Sequence, residues 1–308
     1  MANEQFRVLS LDGGGAKGFY TLGILRKIEA LIGCPIHERF DLIFGTSTGS
    51  IIASLLALGK NVEEILAIYN EHVPTVMKRS GADDRTEALA SLAQSVYDKA
   101  SFTEMKTFVG IVATRWVEER PMIFKTSQDQ AHGGESSFSP GFGVPVRDAV
   151  QASCSAIPFF NPKTVTTDKG ENIELIDGGF CANNPTLYAI AEATHALNIE
   201  RQNLRVVSLG VGTYPPRSLK PWTINYWKSK TPGVKIAHKT FEINTQSMEQ
   251  LRKLLFKDVP TVRINQEFAE PAMATDMFEY DLGKLNILLQ RGSQSYAEHE
   301  ATLKEYLL

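Results

Sequence analysis

Length, composition and charge narrow the class of protein before any motif is considered. The chain has 308 residues, 43% of them apolar and 22% charged, which is ordinary for a folded globular protein. A net charge of −3 gives no reason to expect binding to a nucleic-acid polymer, which normally requires a basic surface. The three cysteines form no CxxC pair, so neither a zinc site nor a disulfide framework is indicated, and we expect reduced thiols in a cytoplasmic protein.

The first seventy residues repeat a strand–turn–helix pattern. Residues 6–11 are predicted to form a buried strand, and apolar residues at helical spacing then continue to Leu31. A second strand at 40–44 is followed by an apolar helix at 50–58, and Asn61 caps a helix that extends to about residue 72. This order is typical of an α/β fold, with helices on both faces of a mostly parallel sheet.

The rest of the chain continues in the same style. Residues 75–100 are polar with a helical pattern, which fits either a lid or a surface helix. A hairpin is predicted at 111–117 and 122–125, a loop at 128–141 and a helix at 146–156. A short strand at 174–176 leads to Asp177, Asn184 is the predicted N-cap of the next helix, and further strands are expected at 204–209 and 261–264.

Ser47 is the candidate nucleophile. It is the centre of the pattern GTSTG, between a predicted strand and a predicted helix. A nucleophile elbow needs a sharp turn at this junction, and Gly45 and Gly49 remove side chains that would clash there. The alternative is a serine that merely caps the helix, but Thr48 or Ser50 would serve that purpose without two spaced glycines.

Asp177 is the preferred base for this serine. It follows a strand and precedes two glycines, at the kind of strand end where α/β sheets carry their functional residues. Burial would raise its proton affinity. A Ser–His–Asp triad is less favoured, since none of the six histidines has such a setting. Asp177 could also simply begin a tight Asp-Gly turn, and such a turn is compatible with a role as the base.

A glycine-rich loop follows the first strand. Its residues Gly13, Gly14, Gly15, Lys17 and Gly18 are predicted to form an oxyanion hole from backbone amides at a helix start. The same glycines match the dinucleotide fingerprint GxGxxG, which also requires an acidic residue at the end of the second strand. That strand ends at the serine turn instead. A phosphate-binding P-loop is excluded because the lysine precedes the last glycine.

The three motifs together, in this order, resemble the patatin-like phospholipase family. The matching positions are Gly13, Gly14, Gly15, Lys17 and Gly18, then Gly45, Ser47 and Gly49, then Asp177 and Gly178. Further similarity lies in ASCSAIPFF, DGGFCANNP and VSLGVGT, so that the likeness covers about residues 6–215. We expect one patatin-like domain over 1–308, a three-layer α/β/α structure with a C-terminal extension from about 216.

The resemblance implies an activity and partners. It implies a lipid acyl hydrolase that cleaves phospholipid or lysophospholipid esters with a Ser–Asp dyad and requires no cofactor, metal or calcium. Similar bacterial members degrade membranes in anti-phage defence when a cyclic dinucleotide activates them, so such an activator is a hypothesis here. A homo-oligomer stays open. A catalytically silent sensor or scaffold with this fold is the alternative.

The sequence predicts peripheral membrane contact. No signal peptide is expected, and the longest apolar run, residues 51–58, is too short to cross a bilayer. Trp222 and Trp227 lie beside lysines, which is typical of a protein that rests on a lipid headgroup layer. A helix with its aromatic side chains packed inward fits the same pattern.

Overall fold

A mixed, mostly parallel sheet lies at the centre of the computed structural model, which describes residues 5–216 and 232–308. In these residues the strands are β1 (Phe6–Leu11), β2 (Leu42–Thr46), β3 (Phe108–Arg115), β4 (Arg120–Lys125), β5 (Lys163–Thr166), β6 (Asn172–Asp177), β7 (Leu204–Leu209) and β8 (Thr261–Ile264). The helices are α1 (Gly18–Ile32), α2 (Ile36–Arg39), α3 (Thr48–Ala57), α4 (Val62–Met77), α5 (Ala82–Tyr97), α6 (Val146–Ser153), α7 (Gly179–Ala182), α8 (Thr186–Ala191), α9 (Pro232–Leu255) and α10 (Leu282–Leu307).

The strand order brings three chain segments to one edge of the sheet. β1 lies between β2 and β7 and is parallel to both, with Leu11 opposite Gly45. β2 is parallel to β3, so that Thr46 pairs with Val112. β6 is antiparallel to β3, and Asp177 pairs with Ala113, the residue after Val112. The ends of β1, β2 and β6 therefore meet, as the sequence analysis requires of the candidate site.

Two apolar cores, one on each face of the sheet, give the three layers. Side chains alternate along each strand, so Leu9 belongs to one core and its neighbour Val8 to the other. The larger core packs α1, α3, α4, α5, α6 and α10 against the sheet. The smaller core packs α8 and the segment around Phe256 against the opposite face. The predicted three-layer α/β/α fold is confirmed.

The predicted elements differ from the structure mainly at their ends. Asn61 caps α4 with a complete capping box, as predicted, but the helix continues to Met77. The prediction for Asn184 is wrong by one position: α8 begins at Thr186, with Pro185 as its N-cap. The Asn184 side chain instead accepts hydrogen bonds from the amide and hydroxyl of Thr186. Strand β5 has only four residues and was not predicted.

The C-terminal third is attached to the motif-bearing part by a strand and a helix. β8 is parallel to β7 at the edge of the sheet. α10 packs along α1, and the two backbones approach so closely that a Cβ on Gly292 would lie 2.0 Å from the carbonyl oxygen of Tyr20. The single-domain organisation remains a prediction. Trp222 and Trp227 lie outside the described residues, within which no helix has the length and apolarity to span a bilayer.

Candidate active site

Ser47 occupies a strained turn between β2 and α3. Its backbone has φ 52° and ψ −123°, a conformation that residues with a side chain rarely adopt. The turn brings the two flanking glycines against backbone: a Cβ on Gly45 would lie 2.3 Å from the Gly49 carbonyl oxygen. A Cβ on Gly49 would lie 2.2 Å from the carbonyl oxygen of Leu11. This is the geometry of a nucleophile elbow.

Ser153, which was not predicted to be part of the site, supports the elbow through hydrogen bonds to the backbone. Its Oγ accepts a hydrogen bond of 2.9 Å from the Ser47 amide and donates one of 2.6 Å to the Val112 carbonyl oxygen. Ser153 is fully buried at the end of α6. Because both partners are backbone groups, this hydroxyl fixes the position of the elbow relative to β3.

Asp177 lies beside Ser47 and is almost fully buried. Its Oδ1 accepts a 2.7 Å hydrogen bond from the Gly179 amide, which fixes the carboxylate. Burial raises the pKa of Asp177 to about 7, and hydrogen bonds from the Gly179 amide and the Ser47 side chain oppose that rise. The carboxyl group is therefore within hydrogen-bonding reach of the serine and basic enough to accept its proton near neutral pH.

The glycine-rich loop leaves two amides available near Ser47. The amide of Gly13 donates to the Asn183 carbonyl oxygen, and those of Lys17 and Gly18 donate within the turn. Within the described residues, no acceptor is found for the amides of Gly14 and Gly15. Gly15 has φ +59°, and a Cβ there would lie 2.5 Å from the Met277 carbonyl oxygen. Of the predicted oxyanion loop, Gly14 and Gly15 thus keep amides without an acceptor among the described residues, whereas the amide of Lys17 is engaged.

A buried ion pair holds this loop to the C-terminal third. Asp12 accepts hydrogen bonds of 2.8 and 2.5 Å from the two terminal nitrogens of Arg263, on β8. Arg263 also donates to Ser208 on β7. Asp12 is thereby committed to a structural role and leaves Asp177 as the carboxylate beside the serine. Sequence reasoning missed this pair, whose members are 251 positions apart.

Asn183 connects the glycine-rich loop and the turn after Asp177 to helix α9. Its carbonyl oxygen accepts from the Gly13 amide, and its side-chain amide donates to the hydroxyl of Thr245 at 2.7 Å. The Asn183 backbone amide donates in turn to Asn244. Phe241 of α9 packs near Gly179, the donor to the Asp177 carboxylate. A movement of α9 would therefore displace both loops.

A narrow apolar pocket extends from Ser47 between the helices of the larger core. It is lined by Gly15, Ser47, Thr48, Ile51, Val73, Val76, Met77, Leu89, Leu92, Cys154, Ala156, Phe160 and Met277. Five of these belong to α4 and α5, so the segment predicted as either lid or surface helix forms a wall of the pocket. The Cys154 thiol is buried there, and burial together with the Asp177 charge raises its pKa. An acyl chain is the ligand that such walls suit.

Other chemistry is less well supported by the described residues. Among them, no histidine is hydrogen-bonded to Ser47 or Asp177, and no cluster of three metal-ligating side chains is present. The dinucleotide alternative requires an acid at the end of β2, where Thr46 and Ser47 stand.

Comparison with known proteins decides the family. Residues 9–190 match the sequence model described as patatin-like phospholipase. The chain belongs to the patatin-like phospholipase family. Membership confirms the resemblance drawn from the three motifs and the class of enzyme that it implied, a serine hydrolase of the phospholipase kind.

Individual patatin-like proteins are similar over most of the chain. A cUMP-AMP-activated phospholipase of Escherichia coli is 57% identical over 302 residues, which cover 98% of this chain and 94% of that protein. A cGAMP-activated phospholipase of Vibrio cholerae is 28% identical and covers 68% of this chain and 64% of its own length. The crystal structure of VipD from Legionella pneumophila has a TM-score of 0.50 at 12% identity, over 99% of this chain and 67% of its own, and shares the fold.

Proposed function

We propose that Ser47 and Asp177 form the catalytic dyad with which this protein hydrolyses the acyl esters of phospholipids. The observation that carries the proposal is the buried carboxyl group of Asp177, with a pKa of about 7, within hydrogen-bonding reach of the strained serine. Two available amides and an apolar pocket adjoin the same hydroxyl. Each part of the site thus has a task in ester hydrolysis.

The reaction proceeds in two halves. Asp177 accepts the proton of the Ser47 hydroxyl as its oxygen attacks the ester carbonyl carbon. The amides of Gly14 and Gly15 donate to the oxyanion that forms, and donors of this kind are each worth about 10²–10³ in rate. Asp177 then returns the proton to the departing alcohol oxygen. In the second half Asp177 takes a proton from a water that attacks the acyl-enzyme, and gives that proton to the Ser47 oxygen as the fatty acid leaves.

A cyclic dinucleotide is the proposed activator. The support is the 57% identity, over nearly the whole chain, to a protein named as a cUMP-AMP-activated phospholipase. We place the enzyme in the cytoplasm, with peripheral membrane contact when it is active, and its task in anti-phage defence. The intact dyad disfavours the alternative of a silent sensor, which would have no need of a buried base.

Mass spectrometry of defined vesicles tests the activity and its activation. Vesicles of phosphatidylethanolamine and phosphatidylglycerol are incubated with wild-type or Ser47→Ala protein, with and without cUMP-AMP. Free fatty acid should accumulate only with wild-type protein, and faster when cUMP-AMP is present. Equal release by Ser47→Ala would contradict the dyad. If cUMP-AMP does not change the rate of fatty-acid release, the proposed activator would be contradicted and the proposed dyad would not.

A further inference from the structure

A cluster of aromatic and basic side chains lies at the rim of the acyl pocket, where three segments meet. The first turn of α5 carries Arg85, one helical turn before Leu89 of the pocket wall. The amide of Asn161, the residue after Phe160, donates to Thr86 on α5. The third segment contains Met277, which lines the pocket next to Gly15. The rim is therefore continuous with the wall that surrounds Ser47.

Arg85 has unused hydrogen-bonding capacity in this cluster. Its guanidinium carbon lies 4.6 Å from the centre of the Phe278 ring. Its Nε is buried, and no hydrogen-bond partner for it is found in the part of the chain that the structure describes. Asp276 raises the pKa of Arg85 through its charge, against the larger lowering by burial. A guanidinium stays ionised under these conditions, and a buried N–H donor without an acceptor is costly, so an added acceptor would stabilise Arg85 beyond the charge that Asp276 supplies.

His238 of α9 forms the opposite side of the cluster. Its ring is 5.3 Å from that of Phe159 and 6.1 Å from that of Phe278, centre to centre. Burial lowers the pKa of His238, and the charge of Lys17 lowers it further, while Asp276 and Glu242 oppose the change. The ring is therefore neutral near pH 7 and offers one N–H donor. Two cations therefore lie near this ring: Lys17, which is paired with Glu242 at 3.7 Å, and Arg85, for which no ion pair is found among the described residues.

The chemistry of these groups suits a phosphodiester. A guanidinium presents parallel N–H donors that match two oxygens of one phosphate, and the imidazole N–H offers a third donor. In a glycerophospholipid the phosphodiester is only a few bonds from the ester that Ser47 would attack. With the acyl chain in the apolar pocket and the ester carbonyl at Gly14 and Gly15, the headgroup emerges at the rim.

We propose that Arg85, assisted by His238, binds the phosphodiester of the lipid headgroup and makes the enzyme selective for phospholipids over neutral esters. The inference rests on the proposed phospholipid hydrolysis and adds a subsite to it. Arg85 binds the substrate and takes no part in proton transfer. Lipid headgroup and cyclic dinucleotide both carry phosphodiesters, and we assign the subsite to the lipid.

Kinetic comparison of two substrates tests the subsite. Detergent micelles carry either dioleoylphosphatidylglycerol or dioleoylglycerol, which has the same acyl esters and no phosphate. Arg85→Met should lower kcat/KM for the phospholipid about tenfold to a hundredfold, the loss expected for a hydrogen bond to a charged group, and leave dioleoylglycerol within about twofold. For Arg85→Lys, kcat/KM for the phospholipid should lie between those of wild type and Arg85→Met, because the ammonium keeps the charge but lacks the two parallel N–H donors of a guanidinium. Arg79→Met removes an exposed arginine after α4 and should change neither rate.

Three further results would overturn the assignment. Equal losses on both substrates would make Arg85 a structural residue, and an unchanged phospholipid rate would remove it from binding. Calorimetry with cUMP-AMP should give the same Kd for wild type and Arg85→Met; lost binding there would assign the phosphate chemistry to the activator.

A binding measurement separates this inference from the proposed catalysis. Dihexanoylphosphatidylglycerol, a soluble short-chain phospholipid, is titrated into Ser47→Ala protein with and without Arg85→Met. The double variant should bind about tenfold or more weakly, while dihexanoylglycerol binds both alike. Equal phospholipid affinity in the two proteins would refute the subsite even if the enzyme hydrolyses lipids. Weaker binding by the double variant would support it even if wild-type protein hydrolyses none.

Discussion

Protonation of Asp177 should switch the enzyme off as the pH falls through about 7. The carboxylate is the form that accepts the serine proton, and burial raises the pKa of Asp177 from the ordinary 3.8 to about 7. Below that pH the carboxylate fraction falls about tenfold for each pH unit. We therefore expect kcat/KM for a soluble ester to rise through a midpoint near 7 and to level off at higher pH.

The same ionisation has a consequence for stability. A carboxyl group whose pKa is raised in the folded state stabilises the fold when protonated and loses that contribution as the pH rises through the folded-state pKa. The difference between 3.8 and about 7 corresponds to on the order of 4 kcal/mol above neutral pH. Asp177→Asn, which remains neutral, should therefore raise the free energy of unfolding at about pH 8, and the gain should vanish below about pH 4.

Two assays check this prediction. The first is the pH profile of soluble-ester hydrolysis, with protein returned to pH 8 as a control for unfolding at low pH. The second is urea unfolding of wild type and Asp177→Asn at several pH values. A kinetic midpoint near the ordinary aspartate value, or an Asp177→Asn protein that is less stable at pH 8, would refute a buried base with a raised pKa.

Three further variants test the rest of the site. Gly14→Ala places a Cβ 2.6 Å from Val211, which should displace the amide proposed as an oxyanion donor and lower kcat by about 10² or more, as measured with a soluble ester. Ser153→Ala leaves the buried Ser47 amide without its acceptor. It should lower the free energy of unfolding in urea by about 1–3 kcal/mol and should also lower activity. Val76→Phe fills the acyl pocket and should lower turnover of oleoyl esters at least tenfold relative to butyryl esters.

Matched variants define the controls. Gly81→Ala meets its nearest side chain at 3.6 Å and should be neutral, so equal losses at Gly14 and Gly81 would contradict the oxyanion assignment. Ser155→Ala removes a hydroxyl whose one hydrogen-bond acceptor among the described residues is the Gln151 carbonyl oxygen of α6, and a loss as large as that at Ser153 would argue against support of the elbow. A uniform loss on oleoyl and butyryl esters would place the acyl chain elsewhere.

The candidate dyad could be predicted because its signals are local. Ser47 and Asp177 each lie at the end of a strand whose apolar run is visible in the sequence, and the glycines beside them indicate tight turns. The meeting of the two residues did not follow from parallel strands, because β6 is antiparallel to β3; it depends on the register, which pairs Asp177 with Ala113 and Thr46 with Val112. The glycine loop was predicted as a whole, but only coordinates distinguish the engaged amide of Gly13 from the available amides of Gly14 and Gly15.

The supporting residues carry no such local signal. Arg263 reaches Asp12 across 251 positions, and nothing beside it in the sequence indicates that pairing. Ser153 is one of several small polar residues near the end of α6. The role of α5 as a wall of the pocket could not be predicted from the sequence. Leu89 and Leu92 are apolar positions in a largely polar helix, and this pattern fits a lid, a surface helix or a pocket wall equally well.

The rate at which a fluorophosphonate labels Ser47 tests the dyad most directly, because it reports activation of the hydroxyl without any lipid or activator. Asp177→Asn should react several orders of magnitude more slowly than wild type, while Asp84→Asn, on the surface of α5, should react at the wild-type rate. Peptide mass spectrometry identifies the labelled residue. Labelling of Ser47 in Asp177→Asn at the wild-type rate, or labelling of another serine, would contradict the account.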